Sequence, residues 1–192
     1  MTKEQLRLNY HKLRQALSAD AIPEKSMRIA NNVVALPIWR ATYFHTFLSI
    51  PSQKEVDTNY IIPLLQGKDK QIVIPKISGA NSLDHYLLTD ATTLKPNQWD
   101  IPEPTDGIEV PLEKIDVVFV PLLAFDLDGH RVGYGKGFYD KFLGECRPDV
   151  IRIGLSFFEA EAKISDVRSE DIALDYCVTP ISTYTFSDVS SS

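Results

Sequence analysis

The residues best suited to chemistry lie between Ile115 and Cys146. Gly133, Gly135 and Gly137 alternate there with Tyr134 and Lys136, behind Arg131 and ahead of Tyr139 and Asp140. Glycines let successive backbone N–H groups turn toward one point, a helix N-terminus favours negative charge, and a lysine adds a full positive charge. That combination suits a phosphate. The spacing G-x-G-x-G is not the dinucleotide fingerprint, and Gly137 stands where a Walker A loop needs serine or threonine. Asp126, Asp128 and Gly129 begin like a calcium loop, yet the glycine comes early and no glutamate closes it. Pattern alone leaves a phosphate cradle and a plain glycine-rich turn equally open.

Hydrophobic patterning supplies the elements that must position this loop. Val117 to Val120 is a continuous apolar run of the kind a strand buried on both faces requires, and Pro121 ends its pairing. Phe138 to Leu143 reads as the start of a helix, so the loop joins a strand to a helix N-terminus. Leu6, Tyr10, Leu13 and Leu17 recur at helical spacing and predict an amphipathic helix over 3–17. Lys3, Arg7 and Arg14 fall within roughly 40° of one another on that wheel. Such a basic stripe either faces water or reaches into a cleft. A second helix is predicted from Pro23 to Leu36, then a strand from Tyr43 to Ile50. Asp57 is a candidate N-cap for a third helix, with Tyr60, Ile61, Leu64 and Leu65 as its apolar face.

Glu55 precedes that helix at the carboxyl end of the strand, the edge where open α/β sheets bind ligands. Gln71 to Pro75 reads as a further strand, and Leu83 to Thr89 as a strand of a smaller antiparallel section. Pro102 and Pro104 force the segment after Trp99 into an extended path. Apolar runs at 43–50, 72–75, 117–120 and 150–157, alternating with helices, predict a three-layer α/β/α domain with a mainly parallel central sheet. One domain spans 1–192, and the Ser-rich stretch 187–192 is expected to fray.

Composition narrows the partners. With 44% hydrophobic and 24% charged residues the chain has a globular balance. A net charge of −6 and a pI near 5.2 argue against nucleic acid or an acidic membrane as partner. A site for an anionic substrate must therefore be a local concentration of cations on an acidic body. Two cysteines, Cys146 and Cys177, are too few for a disulfide scaffold and suit a reducing cytoplasm. The polar N-terminus carries no apolar signal-like run, so a soluble cytoplasmic monomer acting on small molecules is expected.

RVGYGKGFYDKFL, Arg131 to Leu143, closely resembles the signature R-x-G-x-G-x-G-[FY]-Y-D of 5-formyltetrahydrofolate cyclo-ligases (methenyltetrahydrofolate synthetases). The resemblance covers most of the chain. Lys3-Glu4-Gln5-Leu6-Arg7 matches a K-x-x-L-R element of the ATP site in that family. Glu55-Val56-Asp57-Thr58 matches an E-[VI]-[DE]-T element whose Glu contacts folate. Trp99 stands in a segment similar to W-x-I-x-E/Q-P, whose Trp lines the pterin pocket. Ser169 to Pro180 resembles the closing element, with Glu170 in place of its usual His and with Asp171 and Asp175 retained.

The resemblance implies a fold similar to phosphosugar isomerases and CoA-transferases. It also implies ATP- and Mg²⁺-dependent closure of 5-formyltetrahydrofolate to 5,10-methenyltetrahydrofolate, releasing ADP and phosphate. In that scheme the γ-phosphoryl group is transferred to the formyl oxygen, and N10 then attacks the activated carbon. Lys3 to Arg7 and Arg131 to Tyr139, including Val132, Gly133, Tyr134, Gly135, Gly137 and Phe138, are implied to bind ATP. Lys136, Arg131 and Tyr139 are the implied catalytic residues. Ile50, Glu55, Trp99 and Tyr139 would hold the folate, and Asp140 with Asp171 the magnesium. Blander roles stay open for single residues: an inert loop carboxylate for Glu55, a core cover for Trp99, a favourable first-turn charge for Asp140. A non-catalytic folate- or nucleotide-binding paralogue is the alternative. Joint retention of Lys3, Arg7, Glu55, Lys136, Tyr139, Asp140 and Asp171 weighs against it.

Overall fold

The computed structural model describes residues 1–186, so the expected frayed tail 187–192 lies outside the described residues. In chain order the helices are α1 (Lys3–Gln15), α2 (Ala21–Val34), α3 (Ile62–Gly67) and α4 (Phe138–Glu145). The strands are β1 (Tyr43–His45), β2 (Gln71–Ile77), β3 (Leu83–Leu87), β4 (Leu94–Pro96), β5 (Pro102–Pro104), β6 (Val117–Pro121), β7 (Ala124–Phe125), β8 (Arg131–Val132), β9 (Ile151–Leu155), β10 (Tyr176–Val178) and β11 (Thr183–Thr185). Seven of them form one sheet in the order β11-β10-β9-β6-β1-β2-β3. The five inner strands are parallel, and the edge strands β3 and β11 run antiparallel to their neighbours.

Strand alternation assigns the two faces. Val117 and Phe119 of β6 pack with Phe44, Ile72 and Ile74 against Ile29 and Val33 of α2 and Leu65 of α3. Val118 and Val120 point the other way, to Val73, Cys177 and the α4 side chains Phe142 and Leu143. This is the expected three-layer α/β/α arrangement. Val117 to Val120 are all 0% exposed, each contributing about 1.5–3 kcal/mol of apolar burial. In α1, a reciprocal box between Thr2 and Gln5 satisfies the first orphan N–H groups. Leu6 and Tyr10 then pack on Leu123, Ala124 and Val132, seating the helix on the β7–β8 hairpin.

Three expectations change. The strand predicted over 43–50 stops at His45. Beyond it, the Thr58 hydroxyl donates to Phe47 O at 2.8 Å and the Ser49 hydroxyl to Val56 O at 2.7 Å. The Thr58 side chain thus takes over the Phe47 carbonyl that a ladder would have used, and Ser49 ties the segment to the following turn. Leu83–Leu87 belongs to the main sheet, paired with β2, while the separate antiparallel pairs are the β4–β5 and β7–β8 hairpins. In α1, Leu13 is 48% exposed and Arg14 only 3%, so the buried stripe is rotated by one position from the apolar one.

Candidate active site

The strand order reverses at β1 and β6. From β1 the chain proceeds to β2 on one side, and from β6 to β9 and β10 on the other. Loops leaving the carboxyl ends of these neighbours flank a crevice, the usual ligand position in open α/β sheets. The loop after β1 carries Glu55. The segment after β6 forms the β7–β8 hairpin and then the glycine loop. Asp126, Asp128 and His130 lie close enough together in that hairpin to hold a metal ion. Both oxygens of the fully buried Asp126 are already committed, one to the N–H groups of Asp128 and His130 and the other to that of Ile164. The cluster is a turn brace.

Gly135 and Gly137 adopt φ of +92° and +73°, which side chains rarely tolerate, and Gly137 starts α4 in this left-handed state. Nothing lies within 4 Å of where a Cβ would project from Gly133 or Gly137. The loop is open above and backed by α1. Arg7 Nε donates to Gly133 O at 2.9 Å, and its guanidinium would meet a Cβ on Gly135 at 3.4 Å. Lys136 is exposed, its ammonium 4.6 Å from the Trp99 ring centroid. Trp99 stands at the tip of the β4–β5 hairpin, and with Ile77, Gly79, Asn97 and Glu103 it lines a cleft of about 510 Å³. Glu103 fixes this hairpin by accepting from Ile77 N and Asn97 Nδ2.

Behind the loop is a buried polar chain. Arg14 Nη1 donates to the Tyr134 hydroxyl at 2.7 Å, which donates to Glu55 Oε1 at 2.7 Å. Ile50 N–H donates to the other Glu55 oxygen at 2.8 Å. Burial raises the Glu55 carboxyl above its ordinary range, against the pull of Tyr134, Ile50 and Arg14. The Tyr139 hydroxyl is buried with no hydrogen-bond partner among the described residues. Burial, and then the Glu55 charge, push it above the usual phenol range, with Arg131 opposing.

A second cluster closes the far side. Arg131, its side chain 6% exposed, donates to Asp140 Oδ1 at 2.7 Å and to the Ile172 carbonyl. Ile172 N–H reaches the same Asp140 oxygen, tying the C-terminal segment to α4. Lys3 pairs with Asp171 Oδ2, which also accepts from Arg168 N at 2.6 Å. Burial would raise the Asp171 carboxyl, but these hydrogen bonds and the Lys3 and Arg131 charges hold it below its ordinary value. Each carboxylate therefore commits one oxygen to protein donors and leaves the other, Asp140 Oδ2 or Asp171 Oδ1, without one among the described residues.

Similarity to known proteins runs the length of this site. The 5-formyltetrahydrofolate cyclo-ligase family matches residues 1–180. The chain belongs to that family. Among its relatives, the 5-formyltetrahydrofolate cyclo-ligase of Mus musculus is 32% identical, over 75% of this chain and 74% of its own. That of Haemophilus influenzae is 31% identical, over 78% and 76%. The solved 5,10-methenyltetrahydrofolate synthetase of Aquifex aeolicus superposes with a TM-score of 0.84 at 29% identity, covering 98% of this chain and 94% of that one.

For this cyclo-ligase family member, the structure sorts the residues anticipated from sequence. Lys3 pairs with Asp171, Arg7 with the glycine loop and Arg131 with Asp140, while Glu55 is held by Tyr134 and Ile50. Trp99 joins the glycine loop through Lys136. Leu6 and Val132 are 0% exposed and seat α1 on the hairpin. Gln5 caps α1, Glu4 is exposed on its outer face, and Phe138 opens α4. Arg131 faces Asp140 and the Ile172 carbonyl. Glu55 is 5% exposed, no inert surface carboxylate. Sequence reasoning missed Arg14. Its signal was a place on the basic stripe of α1, but the acceptors that draw it inward come from distant loops. Both cysteines are free, and burial pushes the Cys146 thiol up to about 11, so neither is a ready nucleophile.

Proposed function

We propose that this cyclo-ligase family member closes 5-formyltetrahydrofolate to 5,10-methenyltetrahydrofolate at the expense of ATP, at the crevice between Glu55 and the glycine loop. The observation that carries this reading is the Lys136 ammonium resting 4.6 Å from the Trp99 ring. The loop that would hold a triphosphate and the ring that would wall a pterin touch, as transfer between the two substrates requires.

An amide-like formyl oxygen leaves poorly. Phosphoryl transfer onto that oxygen releases ADP. N10 then adds to the formyl carbon, the C–O bond breaks with loss of phosphate, and N10 gives up its proton. The open N–H groups around Gly133, Gly135 and Gly137 cradle the triphosphate, with Lys136 and Arg7 neutralising its charge. Arg131 and Lys3 hold Asp140 and Asp171 in place. The two carboxylate oxygens left without donors suit a magnesium ion, which prefers one or two protein oxygens together with phosphate and water. Bound there, the ion would neutralise charge developing on the phosphates. Glu55 and the Tyr139 hydroxyl orient the folate, whose ring lies against Trp99 and Ile50. No covalent intermediate with the enzyme is involved. The protein works as a monomer, and its two free thiols support a reducing, cytoplasmic setting; among the described residues no helix is long and apolar enough to cross a membrane.

The test is direct. Purified protein should convert 5-formyltetrahydrofolate to the methenyl product, followed by its near-ultraviolet absorbance, only when ATP and Mg²⁺ are both present. Folate binding without turnover under those conditions would sink the catalytic reading.

A further inference from the structure

Tyr134 sits between Gly133 and Gly135, yet its side chain turns away from the open face of the loop. Its hydroxyl has one proton and gives it to Glu55 Oε1, while accepting from Arg14 Nη1, both at 2.7 Å. Arg14 is anchored independently. Its Nη2 donates to Leu122 O at 2.5 Å, just past β6, and its Nη1 is 3.5 Å from Gln53 O in the Glu55 loop. On its other side the glycine loop is held by Arg7 at Gly133 O. Three separate segments, α1, the 51–55 turn and the glycine loop, thus meet at one phenol oxygen.

The bond matters because of what it joins. Above the loop there is open space at Gly133 and Gly137, and φ at Gly135 and Gly137 is positive, so this backbone carries few side-chain restraints. Glu55 is nearly enclosed, and its two oxygens take their direction from Tyr134 and from Ile50 N–H. A phosphate that draws the loop inward moves the Tyr134 hydroxyl, and with it the donor that aims Glu55. An occupant of the Glu55 side fixes the same hydroxyl and thereby the loop. On the reading that folate binds beside Glu55 and a triphosphate above the glycine loop, we propose that Tyr134 is a positioning residue coupling the two substrate sites. Its hydroxyl makes occupancy of each site strengthen the other. Linkage then requires the effect to be reciprocal in size.

A pH signature accompanies the geometry. The Tyr134 bond is the largest of the influences that restrain the upward shift of the Glu55 carboxyl. Removing the hydroxyl lets that carboxyl rise further, so the protonated form persists to higher pH and folate binding weakens over a wider acid range.

The experiment measures 5-formyltetrahydrofolate affinity by calorimetry with and without a non-hydrolysable ATP analogue and Mg²⁺, and the analogue's affinity with and without the folate. Wild type and Tyr134→Phe are compared, with circular dichroism and melting temperature as controls of the fold. The wild type should show each ligand tightening the other by about five-fold or more. In Tyr134→Phe both ligands should still bind, the coupling factor should fall to near one, and the pH dependence of folate affinity should move upward. Independent binding in the wild type overturns the proposal without recourse to any variant. Full coupling retained in Tyr134→Phe overturns it equally. Absence of folate binding to the wild type under every condition overturns the folate reading itself, and the coupling with it.

Discussion

A guanidinium enclosed as completely as Arg14 needs fixed acceptors, because an unanswered buried charge is costly. It finds them in Leu122 O, Gln53 O and the Tyr134 hydroxyl. Lys136, one turn of the glycine loop away, is the opposite case. It is exposed, and its ammonium lies over the face of Trp99. A cation stored on an aromatic ring gives up on the order of 0.5–1 kcal/mol on leaving it, far less than a triphosphate returns. Lys136→Ala should therefore lower turnover by about 10²–10³-fold, the range for removing one electrostatic donor to a transition state. Its circular dichroism and melting temperature should match the wild type. A rate within a few-fold of the wild type would remove this lysine from the chemistry.

At the scale of elements, the glycines divide by what surrounds them. Gly133 looks onto open space, whereas a Cβ on Gly154 in β9 would come within 2.7 Å of Leu122 and Leu174. Gly154→Ala should overpack the sheet face, costing about 1–3 kcal/mol and lowering the melting temperature by at least about 2 °C. Gly133→Ala should leave the melting temperature within about 2 °C of the wild type yet raise the KM for ATP several-fold. An unchanged KM would mean that no phosphate lies over this residue. The same contrast explains what could be read without coordinates. The strand–loop–helix unit from Val117 to Leu143 is contiguous, so its apolar run, Pro121 and the glycines reveal it. The strand at 71–77 announces itself likewise through the apolar run Ile72 to Ile74, and that at 151–155 through alternation of Ile151, Ile153 and Leu155 with Arg152 and Gly154. Glu55 with Tyr134, Lys3 with Asp171, and Arg131 with Asp140 pair across 79, 168 and 9 positions, and no local periodicity encodes the two longer pairings. Periodicity misplaced Leu13 and overlooked Arg14 because a helix records only which face is apolar. The acceptors waiting outside that face belong to other elements.

For the whole molecule, the interior contains a group that folding keeps neutral. His45 and His85 are both buried, with ring centroids 5.0 Å apart and both against Phe142. Burial lowers His85 to about 4 and His45 well below its ordinary value, with the His85 charge adding to the effect at His45. Unfolded, each imidazole would protonate near 6.5. The unfolded chain therefore binds more protons than the fold between pH 6.5 and 4, so the stabilising contribution is full above 6.5 and declines as pH falls. Each histidine contributes a slope of up to about 1.4 kcal/mol per pH unit in that window. His85→Leu should flatten the pH dependence of urea unfolding between pH 6.5 and 4.5. An unaltered slope would show that His85 is already charged in the native protein.

The ring beneath Lys136 has an optical consequence. The chain's other tryptophan, Trp39, is stacked on Phe44 and donates its indole N–H to Val34 O, away from the crevice. An ammonium parked over an indole perturbs its excited state, so emission from Trp99 depends on where Lys136 is. When a triphosphate draws the lysine away, fluorescence should change on the timescale of nucleotide arrival, and Lys136→Ala should abolish that response. The native chain would then report its own loading in a stopped-flow cell, with no dye attached.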